Sequence, residues 1–117
     1  MIKRLLLIAL LICANSTYAQ LLWIEGVVDC GKWSSARKAN SAQYMEHVLL
    51  GTINGMSLGV GIEIWAGTDG NKVSREQLYL WIDGWCQKNP LENINSGAWY
   101  FANERTKGAY GKMQNSK

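Results

Sequence analysis

Histidine, proline and phenylalanine are nearly missing from this chain of 117 residues, which has one of each. A single histidine cannot build the multi-imidazole ligand set of a catalytic metal centre. It also leaves His47 as the sole imidazole for acid–base work near neutral pH. With Pro90 as the only proline, little in the chain interrupts a helix from within. Clustered charge is lacking too, since 12 Lys and Arg stand against 9 Asp and Glu. Nucleic-acid recognition needs a concentrated basic patch, so no nucleic-acid partner is expected.

What is present begins at the N-terminus. Met1-Ile2-Lys3-Arg4 is a short basic start, Leu5 to Ala14 is apolar, and Asn15 to Ala19 turns polar and small. That is the layout of a signal peptide over 1–19, with Thr17 and Ala19 preceding a cut before Gln20. Ala14 and Ser16 mark an alternative cut after Ser16. A membrane anchor running on to Ile24 would need roughly 20 apolar residues, and Asn15, Ser16, Thr17 and Gln20 interrupt the run. Bulky Ile12 argues against a lipid anchor on Cys13. Export to the periplasm of a bacterium, or secretion, is therefore expected, with no stable membrane insertion after cleavage. Losing Lys3 and Arg4 leaves 10 basic residues against 9 acidic ones.

About 98 of the 117 residues remain, enough for one small domain with a thin core. Six tryptophans and four of the five tyrosines remain to enrich that core, Tyr18 leaving with the leader, each ring able to bury about 150–250 Å². Of three cysteines, Cys13 leaves with the leader. Cys30 and Cys86 then allow a single pairing in an oxidising compartment. Two separate buried thiols are the alternative. A bridge would close a loop of about 57 residues, worth about 4 kcal/mol on the chain-entropy account.

Residues 20–29 read as an extended segment tied down at Cys30, with a short helical piece after Gly31. Met45, Val48, Leu49, Ile53, Met56 and Val60 recur at helical spacing, predicting a helix over 42–62 capped by Ser41. Gly51, Gly55 and Gly59 lie on one stripe of it at about 1 kcal/mol each, which predicts close packing against a bulky neighbour, then fraying near Gly61. Trp65 to Lys72 is a loop with Asp-Gly and Gly-Asn turn chemistry. Ser74 and Gln77 form a capping box, Val73 can staple onto Leu78, and Leu78, Trp81, Ile82, Trp85 and Cys86 mark the buried side of a helix over 75–87. Asn89 and Glu92 around Pro90 predict a second capping box and a helix over 90–104, burying Leu91, Ile94, Ala98 and Phe101 or Ala102. The fold class expected is all-α, a three- to four-helix domain over 20–105 with one disulfide. Residues 106–117 lack a core pattern and predict a disordered tail.

No catalytic constellation stands out. His47 has apolar helical neighbours and reads as a partly buried, satisfied imidazole. Ser34, Ser35 and Ser41 lack a nucleophile-elbow context. Glu63, Asp69 and Asp83 have no spacing that forces an acid–base pair together. Asp69-Gly70-Asn71 lacks the remaining ligands of a calcium loop. A protein that is not an enzyme, without metal or cofactor, is the expectation.

Cys30-Gly31-Lys32-Trp33 with Arg37, then Leu49-Leu50-Gly51-x-x-x-Gly55, resemble a pattern in small exported bacterial proteins. So does Leu80-Trp81-Ile82-Asp83-Gly84-Trp85-Cys86-Gln87-Lys88-Asn89-Pro90-Leu91. These proteins are similar to the Rap/Tai group of periplasmic immunity proteins, small helical disulfide-bonded chains that block cell-wall amidases delivered by type VI secretion. The resemblance spans about Cys30 to Glu104 and departs from the pattern at Trp85, where tyrosine is commoner. It implies an inhibitor acting by stoichiometric occlusion of a peptidoglycan amidase.

On that reading the Trp65–Lys72 loop is the candidate contact surface, with Trp65, Asp69, Asn71 and Lys72 as partner-binding residues. Trp65 has an alternative role as a core residue sealing the end of its helix. The competing function is a periplasmic acid-stress chaperone of the HdeA type, which protects many client proteins at low pH. A hydrolase is the third reading. A homodimer is left open.

Overall fold

The computed structural model describes residues 27–116, so the leader, its cleavage sites and Leu21 to Ile24 lie outside the described residues. Among the described residues there are five helices: α1 Cys30–Lys38, α2 Gln43–Val60, α3 Arg75–Lys88, α4 Ile94–Arg105 and α5 Ala109–Asn115. α4 is the hub, packing against α3, α2 and α5, while α1 packs on α3 and α5 on α2. The core is one cluster that includes Trp33, Leu49, Ile53, Leu78, Ile82, Ile94, Ala98, Phe101 and Ala102. Among the described residues, no helix is long and apolar enough to cross a membrane.

Three helices, α1, α3 and α4, start where a side chain can satisfy free N–H groups. Asp29 caps α1 by accepting from the Lys32 N–H at 2.8 Å. Ser74 and Gln77 form the expected capping box on α3, and partly buried Val73 packs against the core just before it. The cap expected on α2 is absent. Ala42 stands at the N-cap, and the Ser41 N–H instead donates to Ala36 O at 2.9 Å, closing the α1–α2 turn. α2 ends at Val60, with Gly61 left-handed at φ 68°, near the fraying point the sequence indicates.

The start of α4 corrects the sequence reading. Asn89 closes α3, its side chain donating to Trp85 O at 3.0 Å, and Asn93 caps α4 by accepting from the Ser96 N–H. Helix formation at Pro90 loses to a backbone pairing with the N-terminal segment. The Cys30 N–H donates to Glu92 O and the Ile94 N–H to Val28 O, both at 2.9 Å, holding 92–94 extended beside 28–30. Leu91, expected in the core, is consequently fully exposed. The rest of the α4 stripe is buried as expected.

Two further expectations fail for identifiable reasons. A Cβ added at Gly51, Gly55 or Gly59 would meet nothing within 4 Å, so no tryptophan presses on that stripe. The helix pair α3–α4 has its tight glycine at Gly97, whose added Cβ would lie 2.9 Å from Ile82 Cδ1 and from Trp85 Cε3. Most of the segment read as a disordered tail is α5. Thr106 is buried, its hydroxyl donating to Ala102 O at 2.8 Å and accepting from the Tyr110 N–H at 3.0 Å. Tyr110 joins the core, and Asn103 Oδ1 accepts from the Gly111 N–H. One anchored ring and one polar hinge order a helix too short to show a periodic stripe.

The bridge between Cys30 and Cys86 is present, with both cysteines buried. Beside it, Arg37 joins three helices. Its Nη2 donates to Asp83 Oδ2 at 2.9 Å, its Nη1 to Glu46 Oε1 at 2.7 Å, and Trp33 Nε1 donates to Asp83 Oδ1 at 2.7 Å. Arg37 also lies over the rings of Trp33 and Tyr79 at 5.7 and 5.6 Å, and the Asp83 hydrogen bond is the main reason its pKa is raised. α1 and α3 are thus cross-linked twice, covalently and by charge.

Candidate functional site

Residues 61–74 leave α2, run over the surface and return to α3, and their ends meet where the Val73 N–H donates to Trp65 O at 3.0 Å. A glycine-rich loop with no strand partner must find donors and acceptors for its backbone elsewhere. Glu63 Oε1 supplies the acceptor, receiving the Trp65 and Ala66 N–H groups at 2.8 and 3.2 Å. Asp69 Oδ1 accepts from the Asn71 N–H at 3.0 Å, forming the turn that Asp-Gly-Asn chemistry predicts. Gly67 and Gly70 take left-handed φ values of 62° and 73°.

The donor comes from 34 to 40 residues away. Arg105, in the last turn of α4, directs Nη2 at three loop carbonyls, Trp65 O at 3.2 Å, Ala66 O at 3.0 Å and Asn71 O at 2.5 Å. In return the Thr68 N–H donates to Arg105 O at 3.1 Å. Only glycine fits at position 67, because a Cβ there would lie 2.6 Å from that same oxygen. Asp69 lies 3.6 Å from Nη2. The Asn71 N–H, and after it the Asn71 side chain and the Arg105 charge, hold the Asp69 carboxyl below its ordinary 3.8. Arg105 is the residue that sequence reasoning missed. It shows in the sequence only as the end of an apolar stripe, and the available hint was the unmet hydrogen-bonding demand of the loop.

The four candidate contact residues fall into two sets. Trp65 is half-buried against the core, and its indole N–H donates to Asn54 Oδ1 on α2 at 2.8 Å. It is therefore tied to the side of α2 and also lines the surface. Trp65 and Lys72 flank a shallow cleft of about 360 Å³ whose floor includes Leu50 and Asn54. Asp69 and Asn71 are exposed at the turn and do not line that cleft. Such a surface offers a partner a fixed aromatic edge, a free-standing ammonium group and an acidic turn.

The remaining candidates are scattered. Glu63 braces the loop, Asp69 shapes its turn and Asp83 pairs with Arg37, so the three carboxylates serve different partners. His47 is exposed rather than partly buried, with Nδ1 2.7 Å from Gln43 O one turn earlier. Among the described residues, no group of three or more His, Cys, Asp or Glu side chains is placed to hold a metal ion.

No protein-family model, curated protein or solved structure matches the chain.

Proposed function

We propose that this chain is an exported, periplasmic binding protein that inhibits a cell-wall-degrading enzyme, a peptidoglycan amidase, by stoichiometric occlusion without turnover. The observation that carries the reading is the Arg105 clamp on the Trp65–Lys72 loop. Binding by a loose loop loses affinity to the entropy of ordering, and one guanidinium shared among three carbonyls removes most of that cost beforehand. A buried disulfide supports an oxidising compartment as the site of action. The signal-peptide layout and the resemblance to the Rap/Tai group supply the enzyme class.

Capture with the oxidised protein from periplasmic extract, including products of neighbouring genes, tests this directly. Lys72→Glu changes an exposed charge and leaves the core untouched, so it should weaken binding of the captured enzyme with no change in thermal stability. Asp69→Lys should weaken binding and also lower stability, because Asp69 Oδ1 accepts from the Asn71 N–H and faces Arg105. Trp65→Ala should cost about 2 kcal/mol or more of binding energy, the size of an interface hot spot. Equal affinity across all three variants would exclude the loop as the contact surface.

A further inference from the structure

Single exposed apolar side chains are ordinary on a protein surface, whereas a contiguous row calls for an occupant. α3 and α4 carry such a row on a face separate from the loop. Tyr100 is 54% exposed and Trp99 is 37% exposed. The Trp85 ring lies 6.0 Å from Tyr100 with planes inclined by 32°, and Trp99 lies 5.1 Å beyond at 84°. Trp85 is held in place from below, because it packs onto the bare backbone of Gly97.

Tyr100 belongs to two clefts at once. The larger, about 740 Å³, has Trp81, Trp85 and Tyr100 as apolar walls and Lys88, Asn103, Glu104 and Lys107 among its polar lining. The smaller, about 410 Å³, sets Trp99 and Tyr100 beside Asn93, Asn95 and Ser96. Both volumes fall in the range of small-ligand sites, which combine apolar walls with a few convergent polar groups.

The mixture of groups selects the ligand chemistry. Flat ring faces stack on the C–H faces of sugar rings, while planar amides and carboxylates pair with neighbouring hydroxyls. The centre of a protein-docking patch is instead depleted of charge, whereas lysine, glutamate and amide side chains here share the same walls as the rings. Charge narrows the choice further. Among the described residues neither Lys88, Lys107 nor Glu104 takes part in an ion pair, leaving the larger cleft with one net positive charge. Two clefts meeting at one ring suit a chain of sugars better than a single one.

We propose that the Trp85–Tyr100–Trp99 row is a binding site for a short oligosaccharide bearing a carboxylate. Tyr100 is its central stacking platform, and Lys88 and Lys107 are the carboxylate's partners. The site is independent of the inhibitor reading, since it shares no residue with the Trp65–Lys72 loop.

Calorimetric titration of the oxidised full-length protein tests it with three probes. They are an N-acetylated amino-sugar tetrasaccharide carrying lactyl carboxylates, its neutral N-acetylglucosamine counterpart, and a short acidic peptide. The acidic glycan should bind and the neutral one should bind roughly tenfold more weakly, a difference of about 1.4 kcal/mol. Tyr100→Ala gives up its contacts with the Trp85 and Trp99 rings and should melt somewhat earlier, yet keep the wild-type helical spectrum at the titration temperature and weaken the acidic glycan by at least roughly tenfold. Lys88→Ala with Lys107→Ala should reduce acidic-glycan binding to the neutral level. No heat with either glycan, binding unchanged in Tyr100→Ala, equal binding of the two glycans, or binding of the peptide alone would each overturn the proposal.

Discussion

Replacing Arg105 with methionine keeps most of the apolar stem in place and removes the guanidinium that holds the loop. Three loop carbonyls then lose their charged donor. A hydrogen bond to a charged group contributes about 1.5–3 kcal/mol net. Asn71 is exposed and its carbonyl regains water, whereas Trp65 and Ala66 are half-buried and recover it in part. Removing the guanidinium also offsets some loss, because its side chain is only 17% exposed and its Nε is buried without a partner. The balance is a destabilisation of roughly 2–3 kcal/mol. In a domain of this size that lowers Tm by roughly 10–20 °C. Thermal denaturation followed by circular dichroism reads the shift. Hydrogen exchange at the Val73 amide, which closes the loop onto Trp65 O, reads the local effect. A fall of less than about 4 °C with unchanged Val73 protection would refute the clamp as the element that orders the loop.

Three other outcomes follow from the same structure. Cys86→Ser should cost about 2–5 kcal/mol in denaturant unfolding, and reduction of the native protein should add the mass of two hydrogens. Gly97→Ala should destabilise by roughly 1–2 kcal/mol because its methyl group would press on Ile82 and Trp85, while Gly55→Ala, with open space around it, should stabilise by about 0.5–1 kcal/mol. Acid should weaken the fold and its loop together. Asp29 and Asp69 lie below their ordinary 3.8 and Glu76 below 4.5, each chiefly through backbone N–H groups, so their contribution is complete above those values. It fades as pH falls from about 4.5 through 3.8 and below, which a pH series of melting curves would show.

The capping box at Ser74, the stripe of α3 and the Cys30–Cys86 bridge were legible in the sequence because each depends on near neighbours or on simple elimination. The glycine stripe and the Asn89 cap misled for a common reason. Local patterns state what a segment can do, and distant partners decide what it does. Asn89 has the chemistry of an N-cap, yet pairing between 28–30 and 92–94 moves the helix start to Asn93. Gly97 looked like any residue of a helical run, and Ile82 and Trp85 on another helix make it indispensable. The candidate loop was visible as a loop, whereas its rigidity depends on Arg105, for which no local signal exists. α5 was hidden because Thr106 and Tyr110 act across the turn rather than along a stripe.

The central claim is stoichiometric inhibition, and titration of the captured amidase tests it most directly. Peptidoglycan hydrolysis should fall linearly as oxidised protein is added and reach zero at a fixed molar ratio, with Asp69→Lys shifting the curve to higher protein. Capture that recovers no specific enzyme, together with protection of many unrelated proteins from aggregation at pH 2–3, would contradict the account and favour an acid-stress chaperone.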